Sequence, residues 1–242
     1  MPLTGIRVVD LTRILAGPFC TMMLADMGAE VIKIETPGQG DPLRGQGVIR
    51  DGISWYFAAF NRNKKSLTLN LRSDEGKAVL ARLIETSDVL VENYRPGVLA
   101  AMGFDEARLK ALNPRLVVCS LSGFGDSGPY RDRPSFDFIA QAMSGFMSVT
   151  GTADGPPLRA GPPIADLVAG LYGAIGIYAG LVRRGRTGAG DHVGASLNNG
   201  MLSLLGFLVV GTPDKLNLVA YGRSSAKLGT QHQRQCDEQR SG

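Results

Sequence analysis

The chain has 242 residues, 44% of them hydrophobic and 20% charged, which suits one large or two small globular domains with a sizeable core. Its net charge of +4 suits a small anionic ligand, but the basic residues are scattered among acids. The short basic runs at 61–65 and 183–186 read as solvated faces, so no nucleic-acid partner is expected.

Met1 leads directly into a β-rich run at 6–11, without the charged-then-apolar pattern of a targeting segment. Cys20 follows at helical spacing beside Met22, Met23 and Leu24, the mark of a core helix. Further β-rich runs at 30–35, 66–71, 88–92 and 115–121 alternate with helical stretches at 74–85 and 136–147, and no internal repeat is visible. This alternation predicts an α/β fold, a Rossmann-like parallel sheet flanked by helices and joined by right-handed crossovers. Ligands of such sheets gather beyond the carboxyl ends of the strands, which singles out the loops after Leu11, Glu35, Glu92 and Leu121.

Those loops are rich in Gly and Pro, as in Leu15-Ala16-Gly17-Pro18 and the segments 37–41, 93–97 and 123–129. Each could turn backbone N–H groups toward an anion, and each could equally be a plain turn. Pro18 follows Gly17 and no Gly-x-Gly-x-x-Gly follows the first strand, so no nicotinamide cofactor is expected. Asp10 and Asp41 are turn residues or ligand contacts. His192 and His232 are the only histidines and sit in no recognisable triad or metal-ligand setting, so both are expected to be structural or exposed. The cysteines Cys20, Cys119 and Cys236 stand at unrelated spacings, which gives neither a disulfide framework nor a metal site and points to a reducing, cytoplasmic setting.

Asp166 is the most informative residue. It is a lone carboxylate in Gly161-Pro162-Pro163-Ile164-Ala165-Asp166, followed by sixteen uncharged residues from 167 to 182. A charge at the head of so apolar a helix needs a partner, a capping role or a chemical one, because burying it unpaired is costly. Pro163 stops any preceding helix, and an Asp in the first turn is favoured by the free N–H groups there. The small neighbours Gly161, Ala165, Ala169 and Gly170 leave room for a ligand, so Asp166 is either a cap or a nucleophile. The apolar stretches after Asp166 and after His192 fall short of a membrane span and read as buried helices.

The opening segment 3–12 with Ala16-Gly17-Pro18 resembles the start of the class III CoA-transferases, of CaiB/BaiF type. Similar likenesses follow in the family's order: segments 28–35, 61–66 and Val91-Glu92-Asn93-Tyr94-Arg95-Pro96-Gly97, then Asp166 with Gly170-Leu171-Tyr172, together covering 3 to about 210. The resemblance implies that residues 1–212 form the N-terminal part of the family's large domain, with the small domain missing, and that 213–242 is a divergent, disordered tail. The polar, aperiodic ending supports that last expectation.

The resemblance also implies a mechanism in which Asp166 attacks the thioester of an acyl-CoA and carries CoA as an aspartyl thioester to a carboxylic acid. On the same basis the CoA contacts are Leu15, Ala16, Arg72, Asn93, Tyr94, Arg95 and Met102. Arg72 and Arg95 suit phosphate or pyrophosphate oxygens, or are solvated surface residues. No metal or redox cofactor is implied, since coenzyme A enters as a thioester substrate. The implied partners are acyl-CoA, a small carboxylic acid and, for the full-length family, a second copy in a homodimer; no membrane partner is expected. Leu15 stands where formyl-CoA transferase carries a glutamine, which argues against oxalate and formyl specificity. The sibling alpha-methylacyl-CoA racemases carry a proton-exchanging histidine at the position of Phe136, which cannot exchange protons. A third expectation is a truncated chain that does not catalyse.

Overall fold

The structure is a computed structural model, and it describes residues 1–152 and 154–206. In chain order its elements are β1 (Arg7–Asp10), α1 (Ala16–Asp26), β2 (Glu30–Glu35), a 3-10 turn (Pro42–Gly45), β3 (Ile49–Arg50), β4 (Ile53–Ser54), α2 (Trp55–Asn61) and β5 (Lys64–Thr68). There follow α3 (Asp74–Glu85), β6 (Val89–Glu92), α4 (Val98–Ala101), α5 (Glu106–Leu112), β7 (Val117–Ser122) and α6 (Asp137–Met143). A second 3-10 turn (Phe146–Val149) leads to α7 (Ile164–Thr187), β8 (Asp191–Ser196) and α8 (Leu197–Leu204). The predicted tail, with His232 and Cys236, lies outside the described residues.

Six strands form one parallel sheet in the order β5-β2-β1-β6-β7-β8, and β3 and β4 make a separate antiparallel ribbon. The chain starts in the middle of the sheet, builds outward through β2 and β5, then returns to the other side of β1. Strands β1 and β6 are therefore neighbours whose connections leave in opposite directions, with Val8 opposite Val89. Such a switch point opens a crevice beyond the two carboxyl ends.

Strand residues alternate between two cores, as the pleat requires. Val8, Val89, Val91, Val117, Cys119 and Leu121 face one cluster with Cys20 and Leu24 of α1 and Ala169, Ala174 and Ile177 of α7. Val9 and Leu90 face the other, with Leu80 and Ile84 of α3 and Leu109 of α5. On the first side, small residues let α7 lie very close to its neighbours. A Cβ at Gly170 would sit 2.7 Å from the Ala16 carbonyl oxygen, and one at Gly176 would sit 2.3 Å from Val193.

The structure bears out the parallel α/β sheet, the helical setting of Cys20 and the exposure of His192. It corrects several details. The third predicted strand starts two residues earlier, at Lys64, and the inward alternation buries that lysine's side chain to 2% exposure. Arg184 is likewise buried against Asp88, at 2.8 Å. Neither basic run is thus wholly a solvated face. The predicted helix 136–147 stops at Met143, because Gly145 takes a left-handed φ of 84° before a 3-10 turn. Helix α7 is not buried all round: Leu171, Tyr172, Ile175 and Val182 are exposed. By length and composition α7 is long and apolar enough to cross a membrane, and its small-residue face packs on α1 and the sheet.

Candidate functional site

The loop after β1 is held from below by buried charges. Asp10 is fully buried and accepts hydrogen bonds from the Thr12 backbone N–H at 2.9 Å, the Thr21 hydroxyl at 2.7 Å and the Lys64 ammonium at 3.2 Å. Burial pushes its carboxyl up, but Lys64, Lys33 and the two threonine hydroxyls outweigh this and hold it below the ordinary carboxylate value. Lys64 also donates to the Pro18 carbonyl and to Asn61, and burial, only partly offset by Asp10, brings it down to about 8. Lys33 donates to the Thr12 carbonyl at 2.8 Å and pairs with Asp41 at 2.9 Å.

Two further side chains fix the loop's crest. Ile14 holds a left-handed φ of 67°, unusual for a β-branched residue. Asp41 accepts from its N–H at 3.2 Å, while Asn93 accepts from the Arg13 N–H at 2.9 Å and donates back to the Arg13 carbonyl at 2.7 Å. The predicted contacts Leu15 and Ala16, both buried, follow at the start of α1, and the Ala16 carbonyl lies against Gly170 of α7.

The other predicted residues divide into two kinds. Tyr94 and Met102 pack on the second core cluster, and the Arg13 guanidinium lies 5.2 Å from the centre of the Tyr94 ring. Arg72 and Arg95 are exposed at the carboxyl edge of the sheet, and neither forms an ion pair among the described residues. The fold thus brings Leu15, Ala16, Asn93, Tyr94 and Arg95 to the switch point between β1 and β6. No hydrogen bond or ion pair ties Arg72, Arg95 or Met102 to Asp166 among the described residues.

Asp166 lies in the first turn of α7, half-buried, and it is not the cap. Pro163 occupies the cap position without a side-chain bond, and Asp137 of α6 supplies the carboxylate instead. One oxygen of buried Asp137 accepts from the Ala165 N–H at 2.7 Å and the Asp166 N–H at 3.4 Å. Its other oxygen accepts from the Gln141 amide at 2.6 Å, and the Gln141 carbonyl oxygen accepts from the Ala160 N–H at 2.8 Å. The Asp166 carboxylate itself accepts no hydrogen bond among the described residues. Burial, with Asp137 adding to it, raises its carboxyl to about 7.

Tyr56 of α2 feels both aspartates, and burial chiefly, then Asp166 and Asp137, raises its phenol. Its ring packs edge-on against Phe60 at 5.5 Å, and Phe60 packs against Phe19 of α1 at 6.0 Å. Phe19 in turn lies where a Cβ at Gly170 would meet it at 2.9 Å. The sequence reading missed Asp137, Gln141, Tyr56, Lys33 and Lys64. The Asp137–Gln141 spacing of one helical turn was the available hint.

A separate open groove of about 930 Å³ runs along β6, β7 and β8, lined by residues that include Glu92, Tyr94, Ser120 and His192 but not Asp166. Ser120 and His192 are 3.1 Å apart within it. Among the described residues no cluster of His, Cys, Asp and Glu could hold a metal ion. Chemically, the α7 site offers a carboxylate raised to about 7 and within electrostatic reach of Tyr56, on a helix whose Gly170 packs against the Ala16 carbonyl beyond the sheet's switch point.

Comparison with known proteins agrees with this layout. The model of CoA-transferase family III matches residues 3–236. The chain is 42% identical over 238 residues to a succinate–glutarate CoA-transferase of Agrobacterium fabrum, covering 96% of this chain and 58% of that protein. It is 42% identical over 232 residues to an acetyl-CoA:oxalate CoA-transferase of Acetobacter aceti, again over 96% of this chain and 58% of the relative. A crystal structure of a CaiB/BaiF family protein from Brucella suis superposes with a TM-score of 0.84 at 41% identity, covering 88% of this chain and 57% of that one. The chain thus spans a little under three fifths of the length of these proteins.

Proposed function

The chain belongs to CoA-transferase family III, and from that premise we propose that Asp166 is the nucleophile of an enzyme that moves CoA from an acyl-CoA to a carboxylate. An Asp166 oxygen attacks the thioester carbonyl carbon, the C–S bond breaks, and a mixed anhydride and CoA thiolate result. The thiolate then attacks the Asp166 acyl carbon, releasing the donor's carboxylate and leaving an aspartyl-CoA thioester. The acceptor carboxylate attacks that thioester, and the returning thiolate takes the acceptor's acyl group, which restores Asp166. No net proton, electron or metal ion is consumed.

The observation that carries this reading is a half-buried carboxylate that accepts no hydrogen bond among the described residues, raised to about 7 by burial and Asp137. A more basic carboxylate is a better nucleophile once ionised, so activity is expected to rise with pH through about 7. Arg72 and Arg95 are assigned to the phosphates of CoA, and the Asn93-clamped loop with Leu15 and Ala16 to its pantetheine arm. The relatives' names favour a small dicarboxylate among the substrates, and Leu15 sets succinate or glutarate ahead of oxalate. Phe136, exposed and without a titratable group, favours transfer over racemisation.

The test is mass spectrometry of the purified chain after incubation with succinyl-CoA and then hydroxylamine. A hydroxamate at Asp166, absent from Asp166→Ala, is expected. Folded protein that binds succinyl-CoA yet stays unmodified at Asp166 would contradict the reading.

A further inference from the structure

Asp137 spans two elements that are far apart in sequence. It starts α6, yet its carboxylate satisfies backbone N–H groups at the head of α7, 28 and 29 positions further on. Gln141, one turn along α6, holds the other Asp137 oxygen and ties down the Ala160 N–H in the approach to α7. The first turn of α7 and the segment before it are therefore anchored on one buried side-chain pair.

We infer that Asp137, with Gln141 behind it, is the positioning residue of Asp166: a single buried carboxylate fixes the turn and holds a like charge against the group that reacts. The inference rests on the reading of Asp166 as a nucleophile. The free N–H groups of a helix N-terminus would ordinarily stabilise a carboxylate in the first turn. Here Asp137 takes up the N–H groups of Ala165 and Asp166 itself, so the Asp166 anion is denied them. Acylation converts the Asp166 carboxylate into an uncharged carbonyl, which relieves its repulsion from Asp137. The covalent adduct is thereby favoured relative to the free anion.

Among the described residues, the charges around Asp166 are few. Tyr56 of α2 and Asp137 of α6 face it. Helix α1 presents the uncharged Phe19 to the same stretch, with Cys20 and, from β7, Cys119 meeting α7 further along at Gly173. Asp191 of β8 pairs with Arg183 at the far end of the helix, and α8 carries no titratable side chain.

The experiment compares the wild-type chain with Asp137→Asn, Asp137→Ser and Gln141→Ala. Asn and Ser are both uncharged side chains with an oxygen that can accept from the Ala165 N–H. Isotope-edited NMR of aspartate carboxyl carbons follows the titration of Asp166, and hydroxylamine trapping with succinyl-CoA is measured across the same pH range. In the uncharged variants the Asp166 midpoint is expected to fall by about one unit, with burial keeping it above the ordinary value. The trapping profile should shift with it, and the adduct level above the midpoint should fall several-fold. Gln141→Ala keeps the charge, so its midpoint stays within a few tenths of a unit of wild type while trapping slows. A trapped adduct whose profile and midpoint are the same in wild type and both uncharged variants overturns this inference alone. Absence of adduct in wild type at every pH overturns the nucleophile reading and the positioning role together.

Discussion

Gly170→Ala and Gly185→Ala place the same methyl group on the same helix with opposite expected signs. Gly185 is exposed near the end of α7, and a Cβ there meets nothing within 4 Å. Alanine should stabilise that position by about 0.5–1 kcal/mol, through a smaller loss of backbone freedom on folding. At Gly170 the same gain of about 1 kcal/mol is available. It is opposed by contacts of 2.7 Å to the Ala16 carbonyl oxygen and 2.9 Å to the Phe19 ring. The first is backbone at the head of α1 and cannot rotate away, so an overpacking cost near the upper part of the usual 1–3 kcal/mol range applies. The net expectation is destabilisation by about 1–2 kcal/mol, or a Tm lower by roughly 2–8 °C for a chain of this size. Because the clash pushes on Ala16, CoA affinity should weaken in Gly170→Ala and stay unchanged in Gly185→Ala. Urea melts and isothermal titration with CoA measure both effects. Equal stability changes for the two variants would refute the close α1–α7 contact on which the site geometry depends.

Lys64→Met leaves the buried Asp10 carboxylate without its nearest cation, and removing one partner of a buried pair costs about 3–5 kcal/mol. The double variant with Asp10→Asn should recover part of that loss, and chemical denaturation of the four proteins of the cycle reads the coupling. Arg72→Ala and Arg95→Ala are each expected to weaken CoA binding about tenfold or more, the worth of a charge-assisted hydrogen bond, with little change in Tm; unchanged affinity in both would remove them from the phosphate site. Asp166 prefers its neutral form when folded, since its carboxyl is raised from 3.8 to about 7. The folded state therefore binds more protons than the unfolded one across that window, and stability falls as pH rises through it. Asp166→Asn should match wild type at low pH and become the more stable protein above about 7, as thermal melts at several pH values would show.

Much of the fold was legible because parallel strands leave a local mark. The β-rich runs around Val8, Ile32, Leu90 and Val118 alternate with helical stretches, and the positions of their carboxyl ends follow from that order. Lys64 escaped because two adjacent lysines look solvated until Asp10, fifty-four positions away, is known to lie opposite. Asp137 escaped for the same reason: its capping bonds reach a helix 28 positions on, where the sequence offered Asp166 as either a cap or a nucleophile. The exposed side of α7 was invisible to hydropathy, since Leu171, Ile175 and Val182 read alike whether covered or bare. Tyr56 carried no motif at all, and only the fold, which packs α2 on α1, brings it within electrostatic reach of Asp166.

The most direct measurement follows oxygen. The chain is incubated with succinyl-CoA and an acceptor dicarboxylate labelled with heavy oxygen in its carboxylates, and the peptide containing Asp166 is then weighed by mass spectrometry. An acceptor that joins Asp166 through an anhydride must leave one of its oxygens on the Asp166 carboxylate when CoA thiolate departs with the acyl group. A heavy oxygen in that peptide, found after turnover and absent from controls without acyl-CoA, is the expected result. Product acyl-CoA formed with no heavy oxygen at Asp166 would contradict the covalent mechanism.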